Sequence, residues 1–252
     1  MRQILLFIAF LTIVIATTSC GKDNGTAETD GDAFSKHVVS VDNRKFIWNG
    51  NRLEMIKNDD SYVCFHYEGD QLQSWAYHYG DDVDSVTITY WDGKIKVVER
   101  MFSGFVSGQY TYVFYYDGGD FVNKIDVSMY DDFIGHDYQE EIFLKWSNEN
   151  LVVKETYIEG VLSQRRSFEY GDGTPWCKGL PEAYLLLDEQ NIALPTFVLG
   201  MSNITSEELC NYVNGQLDYQ SAISYTYKFD NDGFPIRIIS TGGANNVIQY
   251  NK

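Results

Sequence analysis

The chain has 252 residues, 19 of them basic and 36 acidic, for a formal net charge of −17. That balance excludes nucleic acid as a partner, because phosphate binding needs a positive face. Hydrophobic residues make up 44% and aromatic residues 15%, enough for one large core rich in rings.

Residues 1–19 read as a lipoprotein signal peptide. Arg2 gives the positive start, and Ile4 to Ala16 form an apolar run broken only by Thr12, 13 residues in all and too short to span a bilayer as a helix. The next residues, "TTSCG", resemble a bacterial lipobox, with small Thr18 and Ser19 before Cys20 and Gly21 after it; Thr17 stands where that pattern has Leu. The resemblance implies lipid attachment at Cys20 and a place at the outer membrane, on the cell surface or the periplasmic face. Lys22 and Asp23 resemble the surface-export tags of Bacteroidota lipoproteins. Residues 20–40 are small, polar and acidic, a flexible tether with a reach of roughly 25 Å. Residues 41–252 follow as one domain.

Within that domain an aromatic residue recurs before a turn, with an apolar residue five positions later. The copies are "WNGNRL" (Trp48 to Leu53), "YEGDQL" (Tyr67 to Leu72), "YWDGKI" (Tyr90 to Ile95), "YDGGDF" (Tyr116 to Phe121), "WSNENL" (Trp146 to Leu151) and "FDNDGF" (Phe229 to Phe234). Two residues before each aromatic stands another apolar side chain, so both face one side of the entering strand. Strands joined by short turns at this spacing predict an all-β chain with minor α: a single large twisted antiparallel meander, open or half-barrel. "YIEGVL" has the same spacing but falls at the other end of the meander and is counted as chance. A spanning barrel is disfavoured by the lipobox, the acidic tether and the closing "IQYNK", which lacks the final aromatic residue of outer-membrane barrels.

Residues 177–221 interrupt the pattern and predict a short helical or irregular insertion covering an end or face of the sheet. "LPEAYLLLDEQ" opens with Pro181 in a first turn and Glu182 at the positive end, and "TSEELCNYV" places Thr205 three residues before Glu208, a capping box. Cys177 and Cys210 are the candidate disulfide in an oxidising compartment, whereas Cys64 reads as a small buried strand residue.

Chemistry is sparse. "FDNDGF" mimics a calcium loop, but with Gly233 as the sixth position the first is Lys228 and the twelfth Ile239, so it reads as a turn. No metal site, cofactor motif or catalytic signature is present, and His37, His66, His78 and His136 are scattered. The acidic pairs Asp59–Asp60, Asp81–Asp82, Asp131–Asp132 and Glu140–Glu141 are adjacent residues, which a strand would aim to opposite faces. The connections opposite the motif turns vary most, and Phe105, Asp131, Asp132, Phe133, His136 and Tyr138 form a candidate ligand-binding loop cluster.

The lipobox together with the degenerate aromatic–turn copies resembles the β-meander lipoproteins of Bacteroidota, and "YTYKFDNDGFPIRI" resembles the tyrosine-aspartate repeats of Rhs-type proteins. The resemblance implies a twisted antiparallel sheet and no activity. The expected function is therefore a lipid-anchored envelope domain, not an enzyme, that binds a glycan or peptide or acts as a scaffold, with the membrane and envelope proteins as partners. A glycan-acting hydrolase using loop carboxylates and a structural subunit of an envelope complex are the alternatives.

Overall fold

A computed structural model describes residues 36–102, 108–131, 138–187 and 202–251. Its strands are β1 (Val38–Val41), β2 (Arg44–Asn49), β3 (Arg52–Lys57), β4 (Ser61–Glu68), β5 (Gln71–Tyr79), β6 (Asp82–Trp91), β7 (Lys94–Phe102) and β8 (Gly108–Tyr116). They continue as β9 (Val122–Asp131), β10 (Tyr138–Ser147), β11 (Asn150–Ile158), β12 (Val161–Tyr170), β13 (Ile204–Val213), β14 (Gln216–Phe229), β15 (Pro235–Ser240) and β16 (Asn245–Tyr250). Among the described residues one short helix, α1 (Glu182–Leu187), lies between β12 and β13.

Every strand pairs antiparallel with the next, and β16 pairs with β1, with Val38 opposite Tyr250 and Val41 opposite Ile248. The expected open or half-barrel meander is thereby corrected to a closed 16-strand barrel whose pairing lies wholly within residues 38–250. Three of the four residues of β1, the strand that closes it, fall in the stretch expected to be tether, and four residues are too few to show a period-two pattern. Val38 and Val41 are nevertheless fully buried. Closure stabilises the sheet by pairing the two edges that an open meander leaves bare.

The aromatic spacing has a local cause. Two-residue turns such as Asp92–Gly93 and Asn148–Glu149 carry positive φ at both positions, which matches the twist of the flanking strands. The aromatic residue then stands directly opposite the exit residue, as Trp48 does to Leu53, Tyr67 to Leu72, Tyr90 to Ile95 and Trp146 to Leu151. A β-bulge follows each pair. Two copies depart from the expected partner: Tyr116 faces Val122 instead of Phe121, and Phe229 faces Pro235 instead of Phe234. "YIEGVL" proves to be the same device, with Tyr157 opposite Leu162 and a bulge beside them, and Tyr212 opposite Leu217 is another. At these two hairpins the ring falls on the outer wall, where Tyr157 meets Phe143 edge-on at 5.4 Å. The spacing therefore reports a tight hairpin; the strand's parity decides which side of the wall receives the ring.

Residues 171–187 enter the barrel instead of covering it. Trp176, Cys177, Leu180, Ala183, Tyr184, Leu185 and Leu186 are all buried, so α1 is apolar around its circumference, as a helix inside a core must be. Tyr184 lies 5.1 Å from the Phe65 ring, 6.0 Å from Trp75 and 6.3 Å from Tyr77, and Trp176 meets Phe46 at 6.4 Å. The helix expected at "TSEELCNYV" is corrected to strand β13, because pairing with β12 and β14 along both edges outweighs a local capping signal. The second half of the expected insertion, 177–221, is accordingly barrel wall.

Candidate functional site

The turns at Gly50, Gly69, Gly93 and Gly118 and both ends of the 171–203 excursion lie at one pole of the barrel. Here Tyr and Trp rings at the strand ends form a girdle in which the polar tip of one ring bonds to the hairpin before it. Tyr90 Oη donates to the Leu72 carbonyl at 2.7 Å, Tyr116 Oη to Ile95 at 3.1 Å, Trp146 Nε1 to Val122 at 2.7 Å and Tyr170 Oη to Leu151 at 2.6 Å. The acceptor is the exit residue of the preceding hairpin, whose carbonyl lies beside the bulge. Tyr67 bonds likewise to the Leu53 backbone, while burial pushes its hydroxyl up to about 12. These rings are wedged in by packing and bonded at their tips, so their polar ends are already used.

A cleft of about 780 Å³ opens at this pole between the girdle and the inserted segment, lined by Tyr67, Tyr90, Tyr116, Gly179 and Pro181. Two ion pairs stand on its rim, Arg52 with Asp70 at 2.7 Å and Lys94 with Asp120 at 3.1 Å. The Asp230 turn lies at the same pole. Asp230 Oδ1 accepts from the Asp232 and Phe234 amides at 3.0 and 2.9 Å, and Lys36 Nζ bonds to Asp230 at 2.6 Å and Asp232 at 2.9 Å. The Lys36 ammonium bridges the acidic pair. Among the described residues no group of three or more His, Cys, Asp or Glu is placed to hold a metal ion.

Deeper in the lumen, charged groups point inward. Asp84 and Arg100 share the face of Val86 and Val98 and pair at 2.6 Å, with the guanidinium 5.3 Å from the Tyr77 ring. Burial, the largest single effect, lowers the Arg100 pKa, but the Asp84 hydrogen bond together with Coulombic attraction to Tyr77, Asp84 and Tyr112 outweighs it and raises the net value. Lys154 is buried on the face of Leu151 and Leu144, and Arg166 stands 3.6 Å from Glu207, which accepts from Tyr225 Oη at 3.2 Å. Sequence reasoning missed all of these. The available signal was parity: each charge occupies a position in phase with its strand's buried residues.

The outer wall has the opposite character. Lys145, Glu155 and Arg165 form a ladder across three adjacent strands, at 3.3 and 3.8 Å, and Lys124 bonds to Asp126 at 2.8 Å and Glu141 at 2.6 Å. Glu140 and Glu141 take opposite faces, as adjacent strand residues must, and form no catalytic pair.

Of the candidate loop, Phe105, Asp132, Phe133 and His136 lie outside the described residues, as does Cys20; Asp131 ends β9 and Tyr138 begins β10. The candidate disulfide is corrected: Cys177 and Cys210 are separate thiols. Cys177 is buried in the inserted segment, whereas Cys210 pairs with Arg165 and Gln220, whose side chains face outward, so the barrel wall separates them. Burial pushes the Cys177 thiol up to about 12. Iodoacetamide at neutral pH should therefore leave Cys177 unmodified in the native barrel and label it fully in urea without reductant; resistance in urea until reductant is added would restore the disulfide.

No protein-family model matches the chain, and no curated protein matches it. Its fold is similar to that of a porin-like protein from Bacteroides vulgatus ATCC 8482, at 12% identity over 86% of this chain and 99% of that one, with a TM-score of 0.50. A porin-like protein from Bacteroides uniformis ATCC 8492 is similar at 17% identity over 82% of this chain and 89% of that one, with a TM-score of 0.46. The barrel is thus of the porin-like class in fold. That likeness, with the closure, overturns the resemblance to tyrosine-aspartate meander lipoproteins. The expected functions fall with it: a glycan- or peptide-binding or scaffold domain, a glycan-acting hydrolase using loop carboxylates, or a structural subunit of an envelope complex. Those readings took the sheet to be an open or half-barrel meander carrying its chemistry on loops, whereas the closed wall encloses a packed lumen.

Proposed function

We propose that the protein works at the outer membrane as a sealed porin-like barrel, a solid body with a water-facing wall that is neither an enzyme nor an open pore. The observation that carries this reading is the reversed polarity of the wall. A spanning barrel presents an apolar band to lipid and a polar lumen. Here the lumen holds Trp176, Tyr184 and the buried valines, leucines and isoleucines, and the outer face holds the Lys145–Glu155–Arg165 and Lys124–Asp126–Glu141 clusters. A single Lys or Arg on the lipid face costs about 2–4 kcal/mol at the bilayer midplane and less towards the rims, so Arg165, midway along β12, opposes insertion most, and Lys124 and Lys145 add to it. Location at the outer membrane is supported by the lipobox, and Cys20 stands as the proposed point of lipid attachment, with the barrel on the cell-surface or periplasmic side.

A transport role is the second reading, favoured by closure at sixteen strands, a number that leaves an aqueous channel in porins. It requires the 171–187 segment to leave the lumen. The two separate in one experiment on residues 34–252, the range that contains all sixteen strands. The sealed barrel is expected to be monodisperse without detergent, to stay behind when lipid vesicles float, and to give no conductance steps in a planar bilayer. Solubility only in detergent together with stepwise conductance would replace it with the transport reading.

A further inference from the structure

The barrel closes unevenly. β14 is the longest strand, 14 residues, but only Tyr225–Phe229 pair with β15, and the last bonds on that side join Ser224 to Thr241. Residues 216–223 pair with β13 on one side and, among the described residues, with no strand on the other. At about 3.4 Å per residue this overhang is roughly 27 Å of bare edge, twice the four-residue stretches that the stagger leaves paired on one side only elsewhere, such as Phe65–Glu68 and Leu144–Ser147. It is exposed on both faces, with Tyr219 at 52% and Leu217 at 53%.

Edges that must remain single are usually blunted by lysine, proline or a bulge. The overhang carries none of these beyond its tip: a bulge and the lone charge, Asp218, sit next to the turn, and Tyr219-Gln220-Ser221-Ala222-Ile223 follow uncharged. Elsewhere the wall is laced with ion pairs, and the chain as a whole carries −17. A strip without charge on so acidic a body lets an identical body approach its bare edge without repulsion at the contact.

We propose that the overhanging edge of β14 is a self-association surface, on which a second copy adds the same strand antiparallel across a two-fold axis at Ser221. In that register Ser221 faces its own copy, and Tyr219 faces Ile223 of the copy twice, an aromatic–β-branched pair of the kind that stabilises sheets. Gln220 faces Ala222, and Asp218 faces Ser224, so no like charges oppose each other. The contact is isologous and closes at two subunits.

Sedimentation of residues 34–252 across a concentration series tests this. A monomer–dimer equilibrium is expected in the range of roughly 1–100 μM, as suits a contact at the small end of specific interfaces. It should tighten between about 0.05 and 0.5 M salt, because screening removes the repulsion between the two acidic bodies. Ser221→Lys sets two ammonium groups face to face and is expected to weaken the dimer at least about tenfold while leaving the urea midpoint unchanged. Ser221→Cys is expected to give a 221–221 disulfide-linked dimer on oxidation, since opposed strand residues lie within disulfide reach, and Thr89→Cys on the outer wall of β6 is not. A protein that stays monomeric to about 1 mM overturns the proposal, as does a dimer that Ser221→Lys leaves intact.

Discussion

Trp176→Ala is expected to destabilise the barrel by about 3–5 kcal/mol, the usual cost of removing a fully buried aromatic side chain. Trp176 is 1% exposed and meets Phe46 at 6.4 Å, in the segment that descends from β12 towards α1. Its loss opens a cavity among residues held by barrel hydrogen bonds, which cannot collapse inward because the wall is closed on itself. The effect should be read as a lowered urea midpoint with little change in slope. An unchanged midpoint would mean that the inserted segment hangs in the lumen without supporting the wall. The same result would favour transport, since a segment that contributes no stability is free to leave. The variant therefore bears on function as well as stability.

Much of the wall was legible in the sequence, and the reason is geometric. A two-residue turn forces the residues on either side into opposed pairs, so an aromatic and an exit residue five positions apart are a direct print of the hairpin, seen at Trp48–Leu53 and Tyr90–Ile95. The print carries no information about closure. Whether the last strand meets the first depends on β1, whose four residues sit beside a polar tract. Nor does it say what the sheet encloses. Pro181 and Glu182 marked the start of a helix, yet the apolar Ala183–Leu186 that follow suit burial inside a barrel and burial beneath a sheet equally. "TSEELCNYV" misled because its capping signal is local, whereas the two neighbours that make it β13 come from distant parts of the chain. The polar lumenal groups were readable only once the parity of each strand was fixed, and parity shifts at every bulge.

Asp84→Asn is expected to cost about 2–3 kcal/mol, less than the 3–5 typical of breaking a fully buried ion pair because both side chains keep some contact with solvent. Asp84 and Arg100 are 15% and 17% exposed, bonded at 2.6 Å on adjacent strands β6 and β7. The amide keeps the shape but removes the charge, leaving a guanidinium that the lumen cannot hydrate freely and that the Tyr77 ring, 5.3 Å away, only partly compensates. The double variant Asp84→Asn, Arg100→Met should recover part of the loss, since replacing a desolvated pair by apolar packing is often neutral or better. Unfolding midpoints of the three variants form a double-mutant cycle with a coupling above about 1 kcal/mol. Additive effects would show that the two groups are solvated separately, and hence that water reaches the lumen beside Tyr77. That outcome would tell against a sealed barrel, because a continuous wet path along Asp84 and Arg100 is what a conducting lumen would need.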